Sequence, residues 1–169
     1  WGAMYGMETF SQLITYNTTT TVLSISNGPI HITDFPRFPW RGLLLDSARH
    51  YLSVASIKRM IDALAATKMN TLHWHLIDAQ SFPIQSTTYP GLSEAGAFYP
   101  KAVYDHATVT DLINYAKDRG VRIVPEFDVP GHAAAWGKSD PTLVVDCPKV
   151  NSYVLLSSKV GSIKSTLLA

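Results

Sequence analysis

Thr71-Leu72-His73-Trp74-His75-Leu76-Ile77-Asp78 is the stretch on which the fold turns. It has the composition of a buried strand and ends on an ionisable residue. Upstream, Gly42-Leu43-Leu44-Leu45-Asp46 is a short, continuous apolar run, as expected for a parallel strand covered on both faces. Downstream, Val121-Arg122-Ile123-Val124-Pro125-Glu126-Phe127 is a third strand of the same kind. Between the first two, Ser53 can cap a helix in which Ile57, Met60, Ile61 and Leu64 follow i, i+3, i+4, i+7 spacing. Between the second and third, Thr108 is expected to cap a helix carrying Val109, Leu112, Ile113 and Ala116, ended by Gly120. Strand, helix, strand, helix, strand over residues 40–127 argues parallel β/α units. A closed barrel and an open doubly wound sheet both satisfy that pattern. No glycine-rich fingerprint follows any of the strands, which the open dinucleotide-binding sheet would require.

The pattern changes upstream of residue 38. Met4, Met7, Phe10, Leu13 and Ile14 give residues 4–15 helical periodicity. Thr18 to Ile25 reads as a strand, Asn27-Gly28-Pro29 as a turn, and Ile30 and Ile32 as a second strand completing a hairpin. Pro36 and Pro39 mark a stiff linker and a domain boundary near residue 38.

Composition narrows the class. The chain has 169 residues, 46% of them hydrophobic and 16% charged, which calls for a globular core rather than disorder. A net charge of +1 without a basic run gives no footprint for nucleic acid or an anionic membrane. No apolar stretch is long enough to span a bilayer. Cys147 stands alone, so it is a buried small hydrophobe, a reactive thiol or half of a bridge to another chain. Trp1, Trp40, Trp74 and Trp136 suit core packing or sugar stacking. Asn17-Thr18-Thr19 is a glycosylation sequon, fitting a secretory glycoprotein. The chain starts with Trp1 and reads as cut from something longer.

The informative polar residues follow the strands. Asp46 and Arg49 follow the first, Asp78 the second, and Asp128 and His132 the third. In a barrel of this type the C-terminal strand ends form the active-site face, so these groups fall on one rim. Each alone is as well explained by a helix cap or a loop salt bridge; the joint pattern favours a site. Arg offers a planar fork of donors suited to hydroxyls or carboxylates. An Asp beside a His fixes the ring's tautomer and raises its basicity, and such a His can tune a further acid. The long segment after Asp78 is of the kind that often carries function. His73 and His75 have a ligand-like spacing, with His132 elsewhere, but no compact cluster completes a metal site.

At these residues the chain resembles a known family. Phe38-Pro39-Trp40-Arg41-Gly42-Leu43-Leu44-Leu45-Asp46-Ser47-Ala48-Arg49-His50-Tyr51 is similar to the first barrel strand of the family 20 glycoside hydrolases, the β-N-acetylhexosaminidases. His73 to Asp78 with Gln80-Ser81-Phe82-Pro83 resembles their second strand, and Pro125 to His132 their third. Gly2 to Leu13 is similar to the helix closing the family's small N-terminal domain. The resemblance implies an α/β fold: a partial (β/α)8 TIM barrel, the first three or so units, preceded by the end of a small α+β domain. Its expected divisions are residues 1–37 for that domain, 38–147 for the barrel and 148–169 for a divergent tail.

The same resemblance implies removal of terminal N-acetylglucosamine or N-acetylgalactosamine by a retaining mechanism in which the substrate's own acetamido oxygen attacks. It implies that Arg49 binds ring hydroxyls and that Asp78 and His132 form a relay to a catalytic Glu. Asp46, Glu126 and Asp128 would be supports, and Arg41 a structural arginine at the opposite rim. No metal or organic cofactor is implied, and the parent would be a homo- or heterodimer, lysosomal or secreted. The family's acid belongs to an Asp-Glu pair after the fourth strand; these 169 residues contain no Asp-Glu pair, and residues 148–169 hold no acidic residue. Nothing in that tail reads as a fourth barrel strand. The expectation is therefore a hexosaminidase fragment inactive alone, or a truncated product that binds sugar weakly or joins a full-length subunit.

Overall fold

The computed structural model describes residues 1–26, 28–147 and 152–155. Its centre is a three-stranded parallel sheet in the order β3 (Gly42–Asp46), β4 (Thr71–Ile77), β5 (Arg122–Phe127). The crossover helices are α2 (Val54–Ala66) and α4 (His106–Asp118), with the short α3 (Gly91–Gly96) in the segment between β4 and α4. The strand–helix alternation expected from the sequence is therefore present, as a parallel α/β arrangement.

Side chains alternate across the strands, so register decides what meets what. Leu45, Trp74 and Pro125 lie in one row, and Asp46, His75 and Glu126 in the next, on opposite faces. The apolar face carries Leu72 and Trp74, both essentially inaccessible, in one cluster with Ile57, Ile61 and Leu64 of α2 and Leu112 and Ala116 of α4. Each such side chain contributes about 1.5–3 kcal/mol by leaving water. On the other face Leu44 is half exposed while His75 is buried, so polar groups sit where the strands end.

Ser53 caps α2 as expected, its Oγ accepting from the Ser56 amide at 3.2 Å. For α4 the cap is Asp105, not Thr108: the Asp105 carboxylate accepts from the Thr108 amide at 2.7 Å, so Thr108 is the donor three positions inside the helix. Gly120 has φ +70, beyond the helix end, and a Cβ there would run into the Trp1 indole.

The N-terminal segment departs from expectation. After α1 (Gly2–Gln12), the hairpin joins β1 (Thr15–Asn17) to β2 (Val22–Ser24), with Thr15 opposite Ser24. Asn17 Oδ1 closes its turn by accepting from the amides of Thr19 and Thr20 at 2.9 and 3.0 Å. That pairing uses up β2, so Ile30 and Ile32 form no strand; with Tyr5 and Phe10 they line a cavity of about 750 Å³. This segment is tied beneath the sheet by Arg41, whose guanidinium donates to the carbonyls of Lys68 (2.6 Å) and Phe38 (2.9 Å) and reaches Tyr5 Oη at 3.4 Å. Lys68 pairs with Asp34 at 2.8 Å.

Beyond β5, a short helix α5 (Ala134–Gly137) buries Trp136, and β6 (Val144–Cys147) pairs antiparallel with β7 (Ser152–Leu155). The antiparallel β7 is not a fourth strand of the parallel sheet. The Cys147 side chain and residues 156–169 lie outside what is described.

Candidate active site

The chain leaves β3 through a turn that Asp46 builds: its Oδ1 accepts from the amides of Ala48 (2.9 Å) and Arg49 (3.0 Å). That turn directs Arg49 back over the sheet, where Nη1 meets Asp46 Oδ2 and Nη2 meets Asp78 Oδ2, each at 2.7 Å. Core residues fix the turn from below. The Trp74 indole donates to Ser47 Oγ (2.8 Å), Ser81 Oγ donates to the Ala48 carbonyl (2.7 Å), and Tyr104 Oη donates to the Leu52 carbonyl (2.6 Å). Trp74 is thus packing, not a sugar platform, and so is Trp136, set edge-on to Phe82. Trp40 is exposed beside Asn70 and Arg122 at the far end of the sheet.

Asp78 is the centre of the rim. Its side chain is 1% exposed, yet it collects Arg49, His75 Nε2 at 2.9 Å, His132 Nδ1 at 3.1 Å and its neighbour's amide, Ala79 N, at 2.6 Å. A buried carboxylate is tolerable only with such partners. His132 reaches it from the loop after β5, with φ 58, a left-handed conformation uncommon for a residue with a side chain and found most often where function holds it. Asp128 stands 3.8 Å from the same ring nitrogen.

All six residues expected from the sequence, Asp46, Arg49, Asp78, Glu126, Asp128 and His132, therefore lie at the C-terminal strand ends. Five form one contact network directly around Asp78 and Arg49. Glu126 joins through His75, to which the sequence reading gave no role at the rim, leaving it a core polar group or a metal candidate. Glu126 Oε2 lies 3.0 Å from His75 Nδ1 and 2.6 Å from His73 Nε2, and neither contact has hydrogen-bond alignment. The adjacent His75 imidazole is the largest influence holding Glu126 below its ordinary value, with burial opposing. Burial pulls His75 down, but Glu126 and Asp78 outweigh it and raise the imidazole overall. Burial likewise raises Asp46, while the amide and guanidinium of Arg49 outweigh it and lower the carboxyl. The signal that could have found His75 is its position three residues before Asp78 at a strand end.

Among the described residues, His75, Asp78 and Asp128 could bring ligand atoms within 4.8 Å of one another. The donor set suits a cation poorly: Asp78 Oδ2 already faces the Arg49 guanidinium and His75, and a metal there would meet that positive charge. The His73, His75, His132 combination is not assembled, since His132 turns to Asp78 and His73 to Glu126. The two large concavities, about 750 and 600 Å³, lie at the opposite end of the sheet and contain none of the rim residues.

What this arrangement can do is hold hydroxyls with Arg49 and present His132 as a proton-tuning group backed by a carboxylate. Known proteins resemble the chain in sequence and fold. Residues 38–167 match the glycosyl hydrolase family 20 catalytic domain, and the chain belongs to that family. It is 53% identical over 148 residues to the β-hexosaminidase subunit A1 of Dictyostelium discoideum, covering 88% of this chain and 27% of that one. The human β-hexosaminidase subunit beta is 47% identical over 147 residues, 87% of this chain and 26% of that one. In structure, the Flavobacterium johnsoniae chitobiase superposes with a TM-score of 0.82 at 36% identity, over 97% of this chain and 25% of the other. The chain thus spans about a quarter of the length of the curated relatives it matches.

Proposed function

We propose that these residues form the sugar-holding and proton-tuning part of a β-N-acetylhexosaminidase barrel, acting on terminal N-acetylglucosamine or N-acetylgalactosamine with retention. The observation that carries the reading is the buried Asp78 shared by Arg49 and His132 at the ends of adjacent strands. It is supported by likeness to the exo-β-N-acetylglucosaminidase of Vibrio harveyi solved with N-acetylglucosamine, TM-score 0.76 at 30% identity, over 97% of this chain and 29% of that one. In this reading residues 1–37 end a small α+β domain, 38–147 begin the (β/α)8 barrel, and 148–169 diverge. Arg49 takes the hydroxyls of the terminal sugar. Asp78 holds the His132 Nδ1–H, leaving Nε2 to face the acid. Asp46, Glu126 and Asp128 fix the rim. The acid and the carboxylate that orients the acetamido group come from an Asp-Glu pair that these 169 residues do not contain. Attack by the acetamido oxygen on the anomeric carbon then breaks the glycosidic C–O bond, the leaving oxygen taking the acid's proton; water, deprotonated by the same group, opens the resulting oxazolinium at that carbon and restores the acetamide.

A lysosomal or secreted location and a dimeric parent go with this reading; the sequon at Asn17, exposed on the hairpin, supports the former. No helix among the described residues is long and apolar enough to cross a membrane.

The test has two arms. The 169-residue chain should release no aglycone from a chromogenic N-acetyl-β-glucosaminide. Protein expressed from the complete coding sequence, with an Asp-Glu pair encoded past residue 147, should release it, and Arg49→Lys should raise KM about 10- to 100-fold, from lost charged hydrogen bonds of ~1.5–3 kcal/mol. Turnover by the 169 residues themselves would remove the argument about the acid. An unchanged KM in Arg49→Lys would remove the role given to Arg49.

A further inference from the structure

We propose that His75 is a positioning residue held as an imidazolium between Asp78 and Glu126, and that it is the rim's second positive charge beside Arg49. The inference rests on the glycosidase reading only for its kinetic consequence; the charge itself follows from geometry.

Both ring nitrogens of His75 face carboxylate oxygens, Nε2 toward Asp78 at 2.9 Å and Nδ1 toward Glu126 at 3.0 Å. A neutral imidazole has one N–H and one lone pair, so it would turn that lone pair on one of the two carboxylates. Only the doubly protonated ring presents positive charge, rather than a lone pair, to both. The ring is almost fully buried, so water cannot mediate. Glu126 Oε2 is itself buried without an aligned donor, and a carboxylate oxygen in that state needs a positive charge beside it.

The surrounding charges point the same way. From the loop after β3 come Asp46 and Arg49. From β4 and its end come His73 and Asp78. From β5 and the loop beyond it come Glu126, Asp128 and His132. Four of these are carboxylates, and Arg49 is the one permanent cation among them. One guanidinium against four carboxylates leaves Asp78 and Glu126 short of positive charge unless His75 carries a proton. The raised proton affinity of His75 agrees, since its two acidic partners outweigh burial. The consequence for the site is directional. With Asp78 anchored from beneath by His75, its oxygens remain aimed at His132 Nδ1, at 3.1 and 3.2 Å, and the His132 tautomer is fixed with the proton on Nδ1.

The test uses protein expressed from its complete coding sequence with ring-15N-labelled histidine. In the wild type, one histidine should show both nitrogens protonated at pH 8, where free histidine, titrating near pH ~6.5, is neutral. His75→Gln, which keeps a donor toward Asp78 without charge, should delete that signal. If that variant does not fold, through-bond correlation of the ring nitrogens to the His75 backbone assigns the signal. A His75 with one bare nitrogen at pH 8 overturns the proposal, whether or not Glu126 has taken the proton. For positioning, His75→Gln should spread His132 over both tautomers and lower kcat by about 10- to 100-fold, the range for losing an outer partner of a working group, with KM nearly unchanged. An unmoved His132 tautomer with unmoved kcat overturns the positioning role. Absence of any glycosidase activity in the wild type would sink the functional reading while leaving the nitrogen spectrum to decide the charge.

Discussion

Replacing Asp78 by Asn keeps the shape of the side chain and deletes its charge. Its consequence can be worked from the structure. The side chain is 1% exposed and its oxygens meet Arg49 at 2.7 Å, His75 at 2.9 Å and His132 at 3.1 Å. An amide offers one acceptor and one donor group, so its NH2 must face at least one of these donors. His75 and Arg49 meanwhile lose their shared counter-ion. Breaking a buried pair from one side costs about 3–5 kcal/mol. For a domain of this size each kcal/mol lowers Tm by roughly 2–4 °C, so Asp78→Asn should melt about 6–20 °C below the wild type. Asp46→Asn is the control. Its pair with Arg49 is partly exposed, at 28% and 41%, and Asn still supplies the Oδ1 that builds the turn. An exposed pair is worth about 0–1 kcal/mol, so that variant should lose at most about 4 °C. Thermal melts of the 169-residue chain, followed by circular dichroism, read the difference. The Asp78 deficit should persist in about 1 M salt, where exposed pairs are screened within ~3 Å but buried ones much less. Asp78→Asn melting within about 2 °C of the wild type, or Asp46→Asn falling as far as Asp78→Asn, would refute the reasoning.

Stability should also depend on pH in a defined window. His75 binds its proton more tightly folded than unfolded, so its contribution is complete below its ordinary value of 6.5 and is lost as pH rises from there through the raised folded value. Glu126 is shifted the other way; its contribution is complete above its ordinary 4.5 and is lost as pH falls through the lowered folded value. Tm measured against pH should therefore be highest between 4.5 and 6.5, and the alkaline decline should vanish in His75→Gln. Ser53→Ala should cost about 0.5–2 kcal/mol by chemical denaturation, from the lost cap on Ser56 N, with no effect on the His75 nitrogen spectrum.

Which of these features could be read from the chain follows from how local each is. The parallel strands were legible because each is a contiguous apolar run, although only β4 is buried here and β3, expected to be covered on both faces, leaves Leu43 and Leu44 exposed; α2 was legible because Ser53 and its i, i+3, i+4 stripe are contiguous. The α4 cap was displaced because Asp105 and Thr108 are both capping types, three residues apart, and only the hydrogen bond tells acceptor from donor. The hairpin was displaced because the Asn27-Gly28-Pro29 signal is stronger in composition than Thr18–Thr21, whose turn depends on the side chain of Asn17. Asp46, Arg49, Asp78, Asp128 and His132 were legible because each directly follows a strand. The Glu126–His75 contact was not. It requires His75 and Glu126 to be opposite one another, and register between parallel strands is set by packing rather than by a connecting turn.

That last point bears on what makes the rim rigid. Register puts Trp74 on the apolar face and His75 on the polar one, as adjacent residues of one strand. The indole holds Ser47, and through it the turn that carries Arg49, while the imidazole holds Asp78. A slip of one residue would exchange the faces, placing the indole among carboxylates and the imidazole in the core. The same interaction that fixes the fold therefore aims both functional groups, and the hydrophobic cluster beneath β4 provides the stability that offsets the cost of burying Asp78. The site is precise because it shares its anchors with the core, not because its loops are stiff in themselves.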